Sequence, residues 1–246
     1  MLKIATLPFI LMLLSGCLSA PQSTDDPWEN WNRGVYGLNK SLDKTIAKPF
    51  AVAYKRITPD VVETGFTNFF SNLDDVPTMV NNLLQGKLLN SFSDFGRLAI
   101  NSSFGIAGFW DPATRIGLEK HNEDFGQTLG SWGVGAGPFV MLPILGPSSL
   151  RDAPTALYDP ELEWLNHINY IQTSNQIDNV RIRNQTKFIE LLNTRADLLR
   201  YDDFLNGAKD EYSFVRDAYL QFRAYEVSDG KILTDDDCED EDDCFF

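Results

Sequence analysis

Seven apolar residues in the segment Pro59 to Leu84, namely Val62, Phe66, Phe69, Leu73, Val76, Val80 and Leu83, recur at alternating steps of four and three. That spacing returns a side chain to the same face on each turn, so it predicts an amphipathic α-helix rather than a strand. Phe70, Met79 and Leu84 widen the stripe. Such a face must be covered, and packing against the protein's own core is the first expectation. Either one helix or two joined near Asp74-Asp75-Val76-Pro77 would fit, because proline removes a helical donor. Beyond a turn at Gly86, Leu88, Phe92, Phe95 and Ala99 repeat the pattern. Asn175 to Asp203 and Asp210 to Val227 read as further helices separated by Asn206-Gly207, the second with Tyr212, Val215, Tyr219 and Phe222 on one face. Upstream, Asp26 followed by Pro27 is expected to cap and open a helix running toward Ile46, with Pro49 stopping or bending it. The chain is therefore expected to be all-α. No apolar run reaches the roughly 20 residues that a helix needs to cross a bilayer. Several stripes are nevertheless wide enough for two surfaces, so that one side of a helix can meet the core and another can meet acyl chains.

Between Gly105 and Pro160 the character changes, with glycines and prolines dense enough to exclude regular helix from most of the stretch. Long irregular segments in compact domains tend to carry function. Its centre is Gly133-Val134-Gly135-Ala136-Gly137-Pro138. The three glycines permit positive φ and close backbone approach. Pro138 and Pro143 stiffen the chain beyond them. Two forms are open: a pliable strand or hairpin leading into a rigid apolar wedge, Phe139 to Leu145, or a tight loop without motion. A phosphate-cradling glycine loop is excluded, since Gly137 breaks the Gly-x-Gly-x-x-Gly spacing and Pro138 stands where the helix should open.

The amino-terminal residues place Lys3 before an apolar run, Ile4 to Leu14, and end in Leu14-Ser15-Gly16-Cys17. The run has the length of a secretory signal core. Its end resembles the bacterial lipobox, which implies cleavage after Gly16, a diacylglycerol thioether on Cys17 and acylation of the new amino terminus. Several acyl chains together make such an anchor effectively permanent. Leu18, by the sorting of similar lipoproteins, favours the outer membrane. Residues 1–16 are then a signal peptide, 17–26 a flexible lipidated tether, 27–230 the helical body and 231–246 an acidic tail expected to be disordered. Eight of the last twelve residues are Asp or Glu and the chain carries a formal net charge of −14. That balance argues against nucleic acid and against a polybasic membrane contact. Cys238 and Cys244 in the tail are candidates for a small disulfide loop in an oxidising compartment.

Catalytic signatures are weak. There are two histidines, His121 in a polar loop expected to be solvated and His167, and neither has metal-ligand spacing. No Gly-x-Ser-x-Gly elbow occurs. An enzyme is not expected, nor a metal, nor any cofactor beyond the acyl chains of Cys17.

The body resembles the MlaA/VacJ family of outer-membrane lipoproteins. The resemblance rests on Asp26-Pro-Trp-Glu-Asn-Trp-Asn-Arg33 with Tyr36 and Asn39, on Asn68-Phe-Phe-Ser-Asn-Leu73, on Arg97 and Asn101, and most specifically on Phe125 to Pro143. Ser149-Leu-Arg-Asp152, Thr194 to Leu199 and Arg216-Asp-Ala-Tyr219 complete it. It implies a ring of amphipathic helices in the inner leaflet of the outer membrane, with a Gly/Pro-rich irregular hairpin region. It further implies that phospholipids mislocalised to the outer leaflet pass through a polar-lined channel to a soluble periplasmic lipid carrier, in association with porin trimers. By the same resemblance Gly133 to Pro138 would form the channel gate, and Phe139 and Leu142 would adjoin the channel. The other classes consistent with the sequence are a structural or assembly lipoprotein and a lipid hydrolase. The acidic tail lies outside the resemblance.

Overall fold

The computed structural model describes residues 26–157 and 176–231. The signal segment with Cys17, the residues around His167, and Cys238 and Cys244 lie outside them. Helix α1 spans Glu29–Leu42 and passes through a π-helical turn, Asp43–Ala47, into α2, Lys48–Ile57. Pro49 therefore neither stops nor ends the run. It sits in the first turn of α2, directly after the wider π turn. Asp26 is not a cap either. Its side chain is fully buried and accepts hydrogen bonds from Asn32 and from the Tyr212 hydroxyl, so a residue expected at the end of a flexible tether is tied into the body.

Helices α3, Asp60–Leu84, and α4, Leu88–Phe104, form an antiparallel pair about the turn at Gly86, which adopts φ +79°. Helix α3 runs unbroken through Pro77. One backbone bond is lost there, but packing of α3 against α4, α6 and α8 holds the helix. Three short helices follow: α5, Pro112–Arg115; α6, Phe125–Ser131; and α7, Ala153–Leu157. Between α6 and α7 lies a genuine antiparallel hairpin of β1, Phe139–Leu142, and β2, Gly146–Ser149, paired Phe139 to Ser149 and Leu142 to Gly146. Helix α8, Gln176–Leu198, a 3₁₀ turn, α9, Asp202–Gly207, and α10, Glu211–Val227, complete the described chain.

Contacts close on themselves. They run from α1 through the π turn to α2, then to α8, α3, α6, α10, β2, β1 and back to α1. The closing joint is made by two amides. Asn32 donates to the Phe139 carbonyl at 3.0 Å and accepts from the Met141 N–H at 2.9 Å. Two turns along α1, Asn39 donates to Leu142 O at 2.9 Å and accepts from Ile144 N at 2.8 Å. Spaced seven residues apart on one helix face, the two side chains satisfy the open edge of β1 as a third strand would.

Burial is inverted relative to the first expectation. In α3 the inward side carries Glu63, Asn72, Asp75, Thr78, Asn81 and Asn82. Of the apolar stripe, Val62, Val80 and Leu83 are each more than two-fifths exposed, while Phe66, Phe69, Leu73 and Val76 are half-buried. Helix α4 buries Ser91, Asp94, Arg97 and Asn101 while Leu88, Leu89, Phe92 and Phe95 stay exposed. The apolar core proper is small, built from Val35, Phe139, Met141 and Tyr212 with Tyr36, Val215, Tyr219 and Leu220 against it. Buried polar groups cost free energy unless hydrogen-bonded, and most here are paired. Lys120 bonds Asp75 at 2.7 Å, His121 Nδ1 lies 2.8 Å from Asp94, and Arg97 bonds Asp111 at 2.9 Å. His121 is thus half-buried in a hydrogen-bonded network, not in a solvated loop.

Asp111 gives this network a pH signature. Burial raises its carboxyl, but hydrogen bonds from Thr114, Arg97 and Asn101 outweigh that and bring it down to about 2. A folded-state value below the unfolded one stabilises the fold fully above about pH 4, and the contribution is lost as pH falls through about 2. The unfolding midpoint of the native chain should therefore fall more steeply across that window than that of Asp111→Asn. Parallel pH profiles would contradict the assignment.

Candidate functional site

A cavity of about 1120 Å³ opens between α3, α6, α10 and the turn from β2 into α7. Val76, Val80 and Leu84 of α3, Phe125 and Leu129 of α6 and Phe222 of α10 give it an apolar wall. Asp124, Arg151, Asp152, Tyr219, Arg223 and Glu226 give it a charged one. Its volume slightly exceeds the roughly 300–1,000 Å³ of ordinary small-molecule pockets.

Arg223 organises the charged wall. Its guanidinium grips Asp124 through two bonds of 2.6 Å, donates from Nε to Asp152 at 2.9 Å and reaches Glu226 at 3.0 Å. Arg151 donates to Asp152 at 2.8 Å, and the Tyr219 hydroxyl donates to the same carboxylate at 2.8 Å. Burial alone would raise the Asp152 carboxyl, yet the bonds from Arg151 and Arg223 hold it well below the usual carboxylate range. Burial likewise works against the Arg223 cation, and its bonds to Asp124 and Asp152 push it well above an ordinary guanidinium. Burial beside Asp152 pushes the Tyr219 hydroxyl up.

Helix α6 makes this convergence possible. Asp124 caps it by accepting from the Gln127 N–H at 2.9 Å, which fixes the carboxylate that Arg223 grips. Gly126 provides the space. A Cβ there would lie 2.3 Å from Asp152 Oδ1 and 2.5 Å from Arg223 Nη2. One turn on, a Cβ at Gly130 would meet Val227 at 2.7 Å and Arg151 at 2.8 Å. The glycine pair at i and i+4 thus lets two arginine side chains cross directly over the helix backbone.

The predicted gate, Gly133 to Pro138, links α6 to β1 and is not itself cavity wall among the described residues. It is joined to the wall through Arg151, whose backbone N–H donates to Ala136 O at 3.0 Å and whose side chain reaches Val134 O at 3.3 Å. Gly133 and Gly137 use left-handed φ, +86° and +68°; Gly135 does not. Of the predicted wedge, Phe139 and Leu142 line no part of the cavity. Phe139 is fully buried in the apolar core, its ring 6.2 Å from Tyr212 and 5.9 Å from Tyr219. Strand alternation turns it inward, while Leu142 is half-buried and Ile144 at the tip is 78% exposed. The sequence reading assigned no role to Asp124, Arg151, Asp152 or Arg223. No His, Cys, Asp and Glu grouping capable of holding a metal occurs among the described residues, and no described helix is long and apolar enough to cross a membrane.

Comparison with known proteins agrees in extent and in fold. Residues 24–226 match the MlaA lipoprotein family. The chain is 34% identical to the intermembrane phospholipid transport system lipoprotein MlaA of Shigella flexneri, over 94% of this chain and 91% of that one. The protein of the same name from Escherichia coli K12 shows the same identity and coverage. That of Haemophilus influenzae is 28% identical over 85% of this chain and 82% of its own. A solved structure, described as the structural basis for maintenance of bacterial outer membrane lipid asymmetry, superposes with a TM-score of 0.68. It is 32% identical and covers 82% of this chain and 98% of its own. With most of its length matched in sequence and in fold, the chain belongs to the MlaA lipoprotein family.

Proposed function

We propose that this chain is an outer-membrane lipoprotein, anchored through acyl chains on Cys17 in the periplasmic leaflet, that moves mislocalised phospholipids out of the outer leaflet through its cavity. The lipids then pass to a soluble periplasmic carrier, and porin trimers are its partners in the membrane. The inverted burial carries the proposal. Soluble monomers rarely expose large apolar patches, whereas here Leu88, Leu89, Phe92 and Phe95 of α4, with Val61, Val62 and Leu83 of α3, are exposed while polar groups of the same helices are buried. Such a surface is stable against acyl chains. A charged headgroup costs ~3 kcal/mol or more to carry through hydrocarbon, and the charged wall of the cavity lowers that cost while the apolar wall accommodates the tails. The names of the relatives, which place them in an intermembrane phospholipid transport system, support the same activity. Movement of lipid requires no bond cleavage and no cofactor.

Cells lacking the protein should accumulate phospholipid in the outer leaflet, and cells carrying Cys17→Ala should do the same because the protein no longer anchors. Normal lipid asymmetry in the deletion strain would refute the proposal. Within it, Gly133 to Pro138 form the movable edge beside Arg151. Valine at position 137 would face φ +68° with its Cβ 3.2 Å from Leu150, a strain of about 1–3 kcal/mol. Gly135 has open space and an ordinary φ. Gly137→Val should therefore reduce lipid removal while Gly135→Val leaves it near normal, read as outer-leaflet phospholipid at matched protein abundance. Equal behaviour of the two variants would contradict the assigned edge.

A further inference from the structure

The charge arrangement of the cavity points to a class of headgroup, on the reading that the cavity conducts phospholipid. An anionic phosphodiester is normally held by a guanidinium or ammonium with donors to spare. Arg223 directs four donor contacts at three carboxylates, those of Asp124, Asp152 and Glu226. Arg151 directs two at Asp152 and a third at Val134 O, and its side chain is 5% exposed. No other Lys, Arg or His lines the cavity among the described residues. Four of the five N–H donors of Arg223 and two of those of Arg151 are thus already directed at carboxylates, so a phosphate competes with anions in place.

Acceptors are in surplus. Three carboxylates face two guanidinium groups. Asp124 is half exposed, and Glu226 spends only Oε2, on Arg223. Burial pushes the Glu226 carboxyl up, against the opposing pull of Arg223.

We propose that the cavity selects phospholipids whose headgroup ends in an ammonium, the phosphatidylethanolamine class, over those with a net anionic headgroup, with Glu226 and Asp124 as the ammonium acceptors. The ammonium replaces its lost hydration with carboxylate oxygens, and the zwitterion brings no net charge into a wall that is already net negative. An anionic headgroup meets the same wall with repulsion.

The test uses the full lipidated protein in mild detergent, exchanged against mixed micelles of phosphatidylethanolamine and phosphatidylglycerol in equal amounts with identical acyl chains. Retained lipids are measured by mass spectrometry. The native protein should enrich phosphatidylethanolamine about two- to fivefold, the range of one partly exposed charge pair. Glu226→Gln, which loses one peripheral bond, should reduce that enrichment, and Glu226→Lys should reverse it. Lipid associated with the outer apolar surface is the same in all three proteins, so the change in ratio reports the cavity. Retention in proportion to supply by the native protein, or an unchanged ratio in Glu226→Lys, would overturn the headgroup assignment while leaving lipid conduction standing. Failure to retain either lipid would overturn both.

Discussion

Arg223→Met should lower the unfolding free energy by roughly 3–5 kcal/mol, the usual result of removing one member of a buried ion-pair network. Methionine preserves much of the volume, so the loss reports charge rather than a hole. Asp152 is 4% exposed and would keep only Arg151 and Tyr219. Asp124 would lose both bonds that tie the start of α6 to α10. Because α6 and α10 are consecutive links in the ring, the damage should spread to the hairpin. Hydrogen exchange of the β1 amides should quicken along with that of α10. An exchange effect confined to α10 would show that the network is local decoration and not a joint. Gly126→Ala offers an independent route to the same defect, since its Cβ would fall within 2.5 Å of the same guanidinium and the carboxylate beside it.

Asn32→Ala should cost roughly 3–5 kcal/mol, and Asn39→Ala on the same helix only about 1 kcal/mol. Both asparagines make the same pair of bonds to the β1 backbone, but their surroundings differ. Asn32 is fully buried, and its removal leaves the Phe139 carbonyl and the Met141 N–H, both in the apolar core, without a partner. It also removes one of the hydrogen bonds to Asp26, itself fully buried. Each stranded buried group costs about 1–3 kcal/mol. Asn39 acts near the exposed hairpin tip, where water replaces the lost bonds. Denaturant unfolding of the two variants in one detergent measures the difference directly. Equal losses would mean that β1 is held by its pairing with β2 and not by α1.

Periodicity alone revealed most helices, the turn at Gly86 and the irregular centre from Gly105 onward. It could not reveal which face points in. A stripe at steps of three and four defines two faces and says nothing of the medium that covers them. The rule that apolar residues go inside assumes water outside, and the burial of α3 and α4 does not follow that rule. A second signal was present in the residue types. Asp60–Leu84 contains no Lys or Arg, and Leu88–Phe104 contains only Arg97. The polar faces are built from Asn, Asp, Ser and Thr, whose short side chains cannot reach past neighbours to solvent as Lys does. Such faces suit buried pairing.

The cavity was less legible. Asp124, Asp152 and Arg223 are separated by 28 to 99 residues and meet only after the ring has closed. Glycine density in Phe125 to Pro143 drew attention to Gly133, Gly135 and Gly137, but the closest packing lies at Gly126 and Gly130 within α6. Their spacing of four, inside a segment capped by Asp124, was the available clue to a helix crossed by large side chains. The residues that carry the family resemblance near the amino terminus, Asn32, Arg33, Tyr36 and Asn39, form one surface. Arg33 binds Asp210 at the start of α10, Tyr36 bonds Glu211, and the two asparagines hold β1.

The most direct measurement fills the cavity without touching its charges. Val80 and Ala156 stand on its walls, from α3 and α7, and both are exposed to the opening. Val80→Trp combined with Ala156→Trp narrows the cavity while leaving Arg223, Asp124, Asp152 and Cys17 unchanged. Outer-leaflet phospholipid is then quantified in cells expressing the double variant at native abundance in the outer membrane. A cavity that carries lipid predicts accumulation approaching that of cells without the protein; undisturbed asymmetry with the cavity filled would contradict it.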